Sequence, residues 1–333
     1  MKRTSIAVGL LVLAVGFAQA QKLTGAGATF PYPIYSKWFN EYSQAHPGVE
    51  VNYQSIGSGG GITQVTKGLV DFGASDMPMT DQALQASPIK LIHIPTVLGA
   101  VVPVYNVPGV TEIKFAPDVL ADIFLGQIQT WSDARIAKDN PGLKLPDTRI
   151  IVVHRSEGSG TSFIWTDYLS KVSKAWNDGP GKGSSLNWPV GVGGKGNEGV
   201  AGLVRQMPGA IGYIELIYAL QNHITFGDVR NSSGKWVKAS IEGVTAAAAS
   251  VKTMPADYRI SITNAPGDES YPISSFTYLL IPAKIPDAIK GKVLKDMLSW
   301  IVKDGEGQAS TLSYAPLPQE LQEKVLKTVY ALQ

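Results

Sequence analysis

The 333-residue chain contains no cysteine. That absence excludes disulfides, thiolate metal sites, a cysteine nucleophile and a lipidated N-terminal cysteine. Histidine is scarce: His46, His93, His154 and His223 stand far apart, without the short spacings that gather around a metal. The one strongly apolar run, Ile6 to Phe17, is about a dozen residues long, short of the ~20 that span a bilayer. No later stretch is long and apolar enough to span. Lys2 and Arg3 precede the run and Ala18-Gln19-Ala20 follows it as a small-x-small site. Residues 1–20 therefore read as a secretory signal peptide, cleaved after Ala20. With no cysteine to carry a lipid, the mature chain is expected free in a bacterial periplasm, without a lipid anchor.

Net charge is missing too. Removing the leader takes away two bases and no acid, leaving 27 Lys+Arg against 27 Asp+Glu. A neutral chain gives no electrostatic case for nucleic acid. Nucleotide and hydrolase motifs are weak or absent. "GPGKGSS" lacks the Lys-Ser/Thr pair of a P-loop, and no G-x-S-x-G elbow occurs. "GVGGKG", residues 191–196, matches G-x-G-x-x-G in form, but Trp188-Pro189-Val190 before it does not read as a strand. No repeat, low-complexity tract or linker divides the chain.

What is present is alternation. "VEVNYQSIG" reads as a strand and "GITQVTKGLV" as a helix; "VDFGASD" is a short strand, and "TDQALQ" a helix capped by Thr80 or Asp81. "RIIVVHR" and "GAIGYIEL" are strands, "FIWTDYLSKV" and "NEGVAGLVRQM" helices, and "KVLKDMLSWIV" a helix that Gly305 should stop. Such order predicts an α/β fold. The extended segment "IKLIHIPTVLGAVVPVYNV" is expected to break at Pro95 and Pro103. Its stretch 94–104 and the apolar stretch 271–282 are candidates to cross between two lobes around a cleft. The division expected is 21–97 plus 275–333 for lobe I and 98–274 for lobe II.

Three segments concentrate hydrogen-bond donors: "TGAGATFP" (24–31), "IGSGGGITQ" (56–64) and "RSEGSGTSF" (155–163). The last two run directly into helical patterns. A helix start offers free N–H groups and about half a positive charge. Glycine permits close approach to the backbone, and Ser and Thr add O–H donors. Together they make an anion site built on dipoles. Each turn alone is better explained by helix capping; three in one chain, one with an arginine, favour a site. Arg155 follows a strand, where α/β clefts take ligands, and its planar fork suits a tetrahedral oxyanion; pairing with Glu157 would hold it and partly neutralise it. Asp76, closing "VDFGASD", fits beside an anion only if that anion carries a proton. A protonated phosphate does; an ionised sulfate presents only lone pairs. The spacing equally allows Asp76 to be a helix cap. His154 precedes Arg155 on a strand and should face the other way, which argues against its activating a nearby serine.

Together "LTGAGATFPYPIYSKWF", "NYQSIGSGGGITQ", "VDFGASDMP", "RSEGSGTSF", "GGKGNEGV" and "PGAIGYIE" resemble the PstS family, the periplasmic phosphate-binding proteins of high-affinity phosphate ABC importers. The likeness covers nearly the whole mature chain. It implies a type II periplasmic binding protein, two α/β lobes with a hinge and an interlobe ligand cleft. It also implies phosphate contacts from Thr29 (side chain), Phe30 (backbone N–H), Ser58, Asp76, Arg155, Ser159, Gly160 and Thr161. One position departs: where the family motif has Asp two residues after the arginine, this chain has Glu157. The partners implied are inorganic phosphate and a membrane permease with its ATPase; no cofactor, no catalysis and a monomer are expected. A binder of another oxyanion such as sulfate, or an exported phosphatase or esterase, stays open as an alternative.

Overall fold

The computed structural model describes residues 21–332. The signal peptide and its cleavage after Ala20 lie outside them. Strands and helices alternate over most of the chain. The strands are β1 (Gln21–Gly27), β2 (Val49–Ser55), β3 (Phe72–Ser75), β4 (Leu91–Tyr105), β5 (Lys114–Phe115), β6 (Ile151–Arg155), β7 (Val192–Gly194), β8 (Ala210–Glu215), β9 (Asp228–Arg230), β10 (Trp236–Val237) and β11 (Ser274–Pro282). Eight form one sheet in the order β2-β1-β3-β11-β4-β8-β6-β7; β10-β9-β5 form a small second sheet.

The large sheet has two parallel ends and an antiparallel middle. β1 runs parallel to β2 and β3, and β6 parallel to β7 and β8. Between them β11 is antiparallel to β3 and β4, and β4 is antiparallel to β8. β4 changes partner along its length, giving Leu91 to Ala100 to β11 and Val101 to Tyr105 to β8. Parallel neighbours need helical crossovers. Helices Tyr32–Ala45 and Ser58–Thr66 serve one end, and Gly160–Val172 and Gly196–Gln206 the other. The crossovers bring strand ends and helix starts from both ends of the sheet together.

Three readings of the sequence need correction. The prolines do not break β4. A bulge leaves Thr96 unpaired between Pro95 and Val97, opposite Tyr278 and Thr277. At Pro103 the missing donor costs β4 no bond to β8. Val101 N and Tyr105 N point to Ile273 O and Thr225 O, away from β8, and Pro103 shares their side. Gly305 does not stop the late helix. Ala288–Trp300 continues through a π turn, Ile301–Gly305, and a 3₁₀ stretch, Glu306–Leu312, ending at Ser313 with φ 60°. Gly305 instead accepts a 2.9 Å bond from the buried Trp38 indole, against which a side chain would press. Finally, "GVGGKG" itself contains a short edge strand, β7, running into the Gly196 helix.

Helix Tyr32–Ala45 goes unread in the sequence because Pro31 and Pro33 stand at its start. Both sit at the N-terminal boundary, where a lost N–H has no intrahelical partner to miss. The helix buries Ile34, Tyr35, Trp38, Phe39 and Tyr42, and Tyr35 OH bonds the bulged Thr96 Oγ1 at 2.7 Å.

Candidate functional site

Each donor-rich turn joins a strand end to a helix start. Thr29 and Phe30 lie between β1 and helix Tyr32–Ala45. Ser58 opens helix Ser58–Thr66 after β2, and Ser159 caps helix Gly160–Val172 after β6. Asp76 follows β3 directly. The Gly57 turn adopts φ 88°, a left-handed conformation that glycine tolerates best.

The structure brings these turns into contact. Thr29, Phe30, Ser58, Asp76, Arg155, Ser159 and Thr161 are all at most 3% exposed. Gly59 N donates to Gly158 O at 2.9 Å, joining the second turn to the third. A Cβ on Gly160 would collide with Ser58 Oγ and Asp76 Oδ2. Only glycine lets the helix start come that close.

The local chemistry follows from the hydrogen bonds. Ser159 Oγ accepts from Ser162 N at 3.0 Å, which leaves its O–H to donate elsewhere. The N–H groups of Gly160 and Thr161, in the first turn, have no intrahelical acceptor by geometry. Arg155 donates through Nε (2.9 Å) and Nη2 to Glu157 Oε1, and through Nη1 to Thr161 Oγ1 at 3.2 Å. Gly196 N donates to the same Glu157 oxygen at 3.0 Å. Arg155 is thus a clamped, half-neutralised guanidinium.

Asp76 is held unevenly. Oδ1 accepts from Thr277 Oγ1 at 2.7 Å, whereas Oδ2 has only Ser58 Oγ at 3.5 Å. Burial drives its pKa up; Thr277, Arg155 and Ser58 offset this only in part, leaving it at about 7. Glu215, fully buried at the end of β8, caps the next helix through a 2.7 Å bond from Ile217 N to Oε2, while Oε1 has no partner. Burial pushes its carboxyl well above the carboxylate range, and the charge of Asp76 adds to that.

Several participants are not singled out by the sequence. Asn197 Nδ2 donates to Thr29 Oγ1 at 2.7 Å and to Thr161 Oγ1 at 3.1 Å. Tyr218 OH donates to Thr29 O, and Tyr314 OH to Phe30 O, both at 2.6 Å. The signal for Asn197 was its place just inside the helix after the glycines of "GGKGN". Tyr218, Tyr314 and Thr277 come from distant segments with no local pattern. His154 stacks on Trp188 with centroids 4.9 Å apart, and its Nδ1 lies 3.0 Å from Arg155 O. It forms no hydrogen bond to Ser58 or Ser159, so this histidine serves neither hydroxyl as a base. No cluster of metal-ligating residues occurs among the described residues.

The model of the PBP superfamily domain matches residues 16–304. The phosphate-binding protein PstS of Pasteurella multocida is 45% identical over 328 residues, covering 97% of this chain and 94% of its own. The PstS of Xylella fastidiosa (strain Temecula1) is 46% identical over 307 residues, 91% of this chain and 84% of its own. The chain belongs to the PstS family of phosphate-binding proteins. Among solved structures, a high affinity periplasmic phosphate-binding protein (PfluDING) bound with phosphate superposes with a TM-score of 0.75 at 21% identity, covering 92% of this chain and 93% of that one. An ABC-type phosphate transport receptor from Vibrio cholerae gives 0.58 at 17%, covering 89% and 100%. The fold is the type II periplasmic-binding-protein architecture. Within that PstS frame the three donor-rich turns meet where strand ends run into helix starts.

Proposed function

We propose that this protein captures inorganic phosphate in the periplasm and hands it to an ABC importer, as a solute-binding protein and not an enzyme. The observation that carries this reading is the uneven Asp76 carboxyl. Its Oδ2 is buried, nearly unpartnered, and set against the start of helix Gly160–Val172. An acceptor in a field of donors suits an oxyanion that brings its own proton. The anion's bare oxygens would take the O–H groups of Thr29, Ser58, Ser159 and Thr161, the N–H groups of Phe30, Gly160 and Thr161, and the Arg155 guanidinium. Its single proton would go to Asp76. Glu157 supports Arg155 without touching the ligand. Bonds to charged groups contribute roughly 1.5–3 kcal/mol each. A handful, less desolvation and closure costs, reaches the −8 kcal/mol or so of a micromolar complex.

The lobe division 21–97 plus 275–333 against 98–274 fits this reading. It sets Thr29, Phe30, Ser58 and Asp76 on one lobe and Arg155, Ser159, Gly160 and Thr161 on the other. The anion would then bridge both and stabilise the closed form, which docks as a monomer on a membrane permease with its ATPase. Export by a leader cleaved after Ala20 completes the reading.

Calorimetry on the mature protein with phosphate and with sulfate tests it. Phosphate should bind at micromolar concentration or tighter and sulfate far more weakly. Equal affinities would make the protein a general oxyanion binder, and turnover of an aryl phosphate would make it a phosphatase.

A further inference from the structure

We propose that Asn197 is a positioning residue that turns Thr29 and Thr161 into obligate donors and so steers the proton of the bound phosphate away from both. The inference rests on the phosphate-binding reading above. It follows from a count of hydrogen-bonding valences around one buried amide.

Asn197 is fully buried. Its Oδ1 accepts from Glu215 N at 2.9 Å. A backbone N–H can only donate, so the atom facing it must be the amide oxygen and the other atom is Nδ2. Nδ2 carries two hydrogens and has two acceptors, Thr29 Oγ1 and Thr161 Oγ1, at 2.7 and 3.1 Å. Both amide hydrogens are committed and the orientation is fixed.

Each threonine hydroxyl has one hydrogen and two lone pairs. Thr29 Oγ1 also receives Asn197 N at 3.3 Å, and Thr161 Oγ1 also receives Arg155 Nη1 at 3.2 Å. Both lone pairs on both oxygens are taken, so each hydroxyl retains only its hydrogen. These O–H groups can serve an oxygen lone pair on a ligand but cannot accept an O–H from it. A phosphate that carries a proton is therefore turned away from both threonines and toward Asp76, whose Oδ2 has only the 3.5 Å Ser58 contact and lies against the start of helix Gly160–Val172. Ser58 and Ser159 lack this double clamp. Ser159 Oγ accepts one N–H, from Ser162, and Ser58 Oγ accepts Asp76 N at 3.2 Å while donating weakly to Asp76 Oδ2. Asn197 and Thr161 lie in the segment proposed as one lobe and Thr29 in the other, so the Thr29 donor acquires its fixed polarity only on closure.

A double-mutant cycle tests the inference. Phosphate affinity is measured by calorimetry for the wild-type mature protein, Asn197→Ala, Thr29→Val with Thr161→Val, and the combined variant. Thermal unfolding without phosphate is recorded for each. Asn197→Ala should weaken binding at least tenfold in the wild-type background and less than twofold once both hydroxyls are gone. A purely structural asparagine would cost the same factor in both backgrounds, and that result overturns the proposal, as does an Asn197→Ala change below twofold. Asn197→Asp keeps the shape and the oxygen facing Glu215 N but replaces the donor by an acceptor. It should bind phosphate more weakly than Asn197→Ala while unfolding within a few degrees of wild type; binding equal to wild type would refute the proposal even if the alanine variant fails to fold. Absence of phosphate binding by the wild type would instead defeat the underlying reading.

Discussion

Two aspartates in this protein are equally buried, at 1% exposure, and are held in opposite ways. Asp167, inside helix Gly160–Val172, has both oxygens occupied. Oδ1 accepts from Lys182 Nζ at 3.0 Å; Oδ2 accepts from Ser261 and Thr263 hydroxyls at 2.6 Å each and lies 3.1 Å from Lys171 Nζ. Burial pushes its pKa up, but those hydroxyls and ammonium groups outweigh burial and bring it to about 2. Asp76 has one well-made bond and ends near 7. Burial is therefore not what distinguishes a site from a brace. The saturated carboxylate ties the 261–263 segment to a helix; the unsaturated one lies against the start of helix Gly160–Val172 with one oxygen nearly unpartnered.

The sharpest way to break this comparison is to neutralise each carboxyl in turn. Asp76→Asn replaces an acceptor by a donor where a phosphate proton would point and where sulfate offers a lone pair. The ratio of phosphate to sulfate affinity should fall by about 10⁴, the scale on which a site built for a substrate hydroxyl rejects its analogue. Competitive calorimetry measures it, and an unchanged ratio removes Asp76 from the recognition of phosphate. Asp167→Asn should leave that ratio within about threefold, the size of a change that does not touch the ligand.

Stability in the absence of phosphate should show opposite pH signatures. The folded pKa of Asp76 lies above its ordinary 3.8, so the folded state binds an extra proton between about pH 4 and 7. Stability then falls as pH rises through that window and levels off above it. Asp76→Asn removes this loss and should gain up to about 4 kcal/mol at pH 8. Asp167 has a folded pKa below 3.8, so its contribution is present above about pH 4 and is lost as pH falls toward 2. Asp167→Asn should cost roughly 2 kcal/mol at pH 7 and little near pH 2. Denaturant unfolding of each variant against wild type across pH isolates these differences from those of Glu215 and Glu306, whose carboxyls burial also raises. Curves of the same sign for both variants would erase the distinction.

Much of the crevice was legible because it is local. Strand-glycine-hydroxyl-helix is a short-range pattern, and Ser58 and the Arg155–Thr161 stretch each sit within one. Asp76 was legible as a carboxyl after a strand but equally as a cap, since the bond that orients it comes from Thr277, 201 positions away. Asn197 has no role legible in its own motif, because its meaning lies in two threonines from other segments and a backbone N–H in a third. The fold readings failed where a local rule met a tertiary exception. Pro103 spares the β8 ladder because its N side faces the 225–227 segment, where Gly227 N still donates to Pro103 O, and Gly305 serves the Trp38 indole rather than a helix end.

The smallest expected effect concerns Glu157, which does for Arg155 what the hydroxyls and lysines do for Asp167. One oxygen, Oε1, gathers Arg155 Nε, Arg155 Nη2 and Gly196 N, while Oε2 is buried without a partner. Glu157→Asp shortens the arm by one methylene. An aspartate at this position can keep the arginine fork, which is two residues away, but recedes from Gly196 N at the start of the next helix. Because the guanidinium stays paired and the lost bond does not touch the ligand, phosphate affinity should change by less than about tenfold. The lost tie should appear instead as faster backbone amide exchange at Gly196 than in the wild type. A hundredfold loss of affinity would show that the length of this side chain sets the Arg155 position itself, and would move Glu157 from a brace like Asp167 into the recognition of the anion beside Asp76.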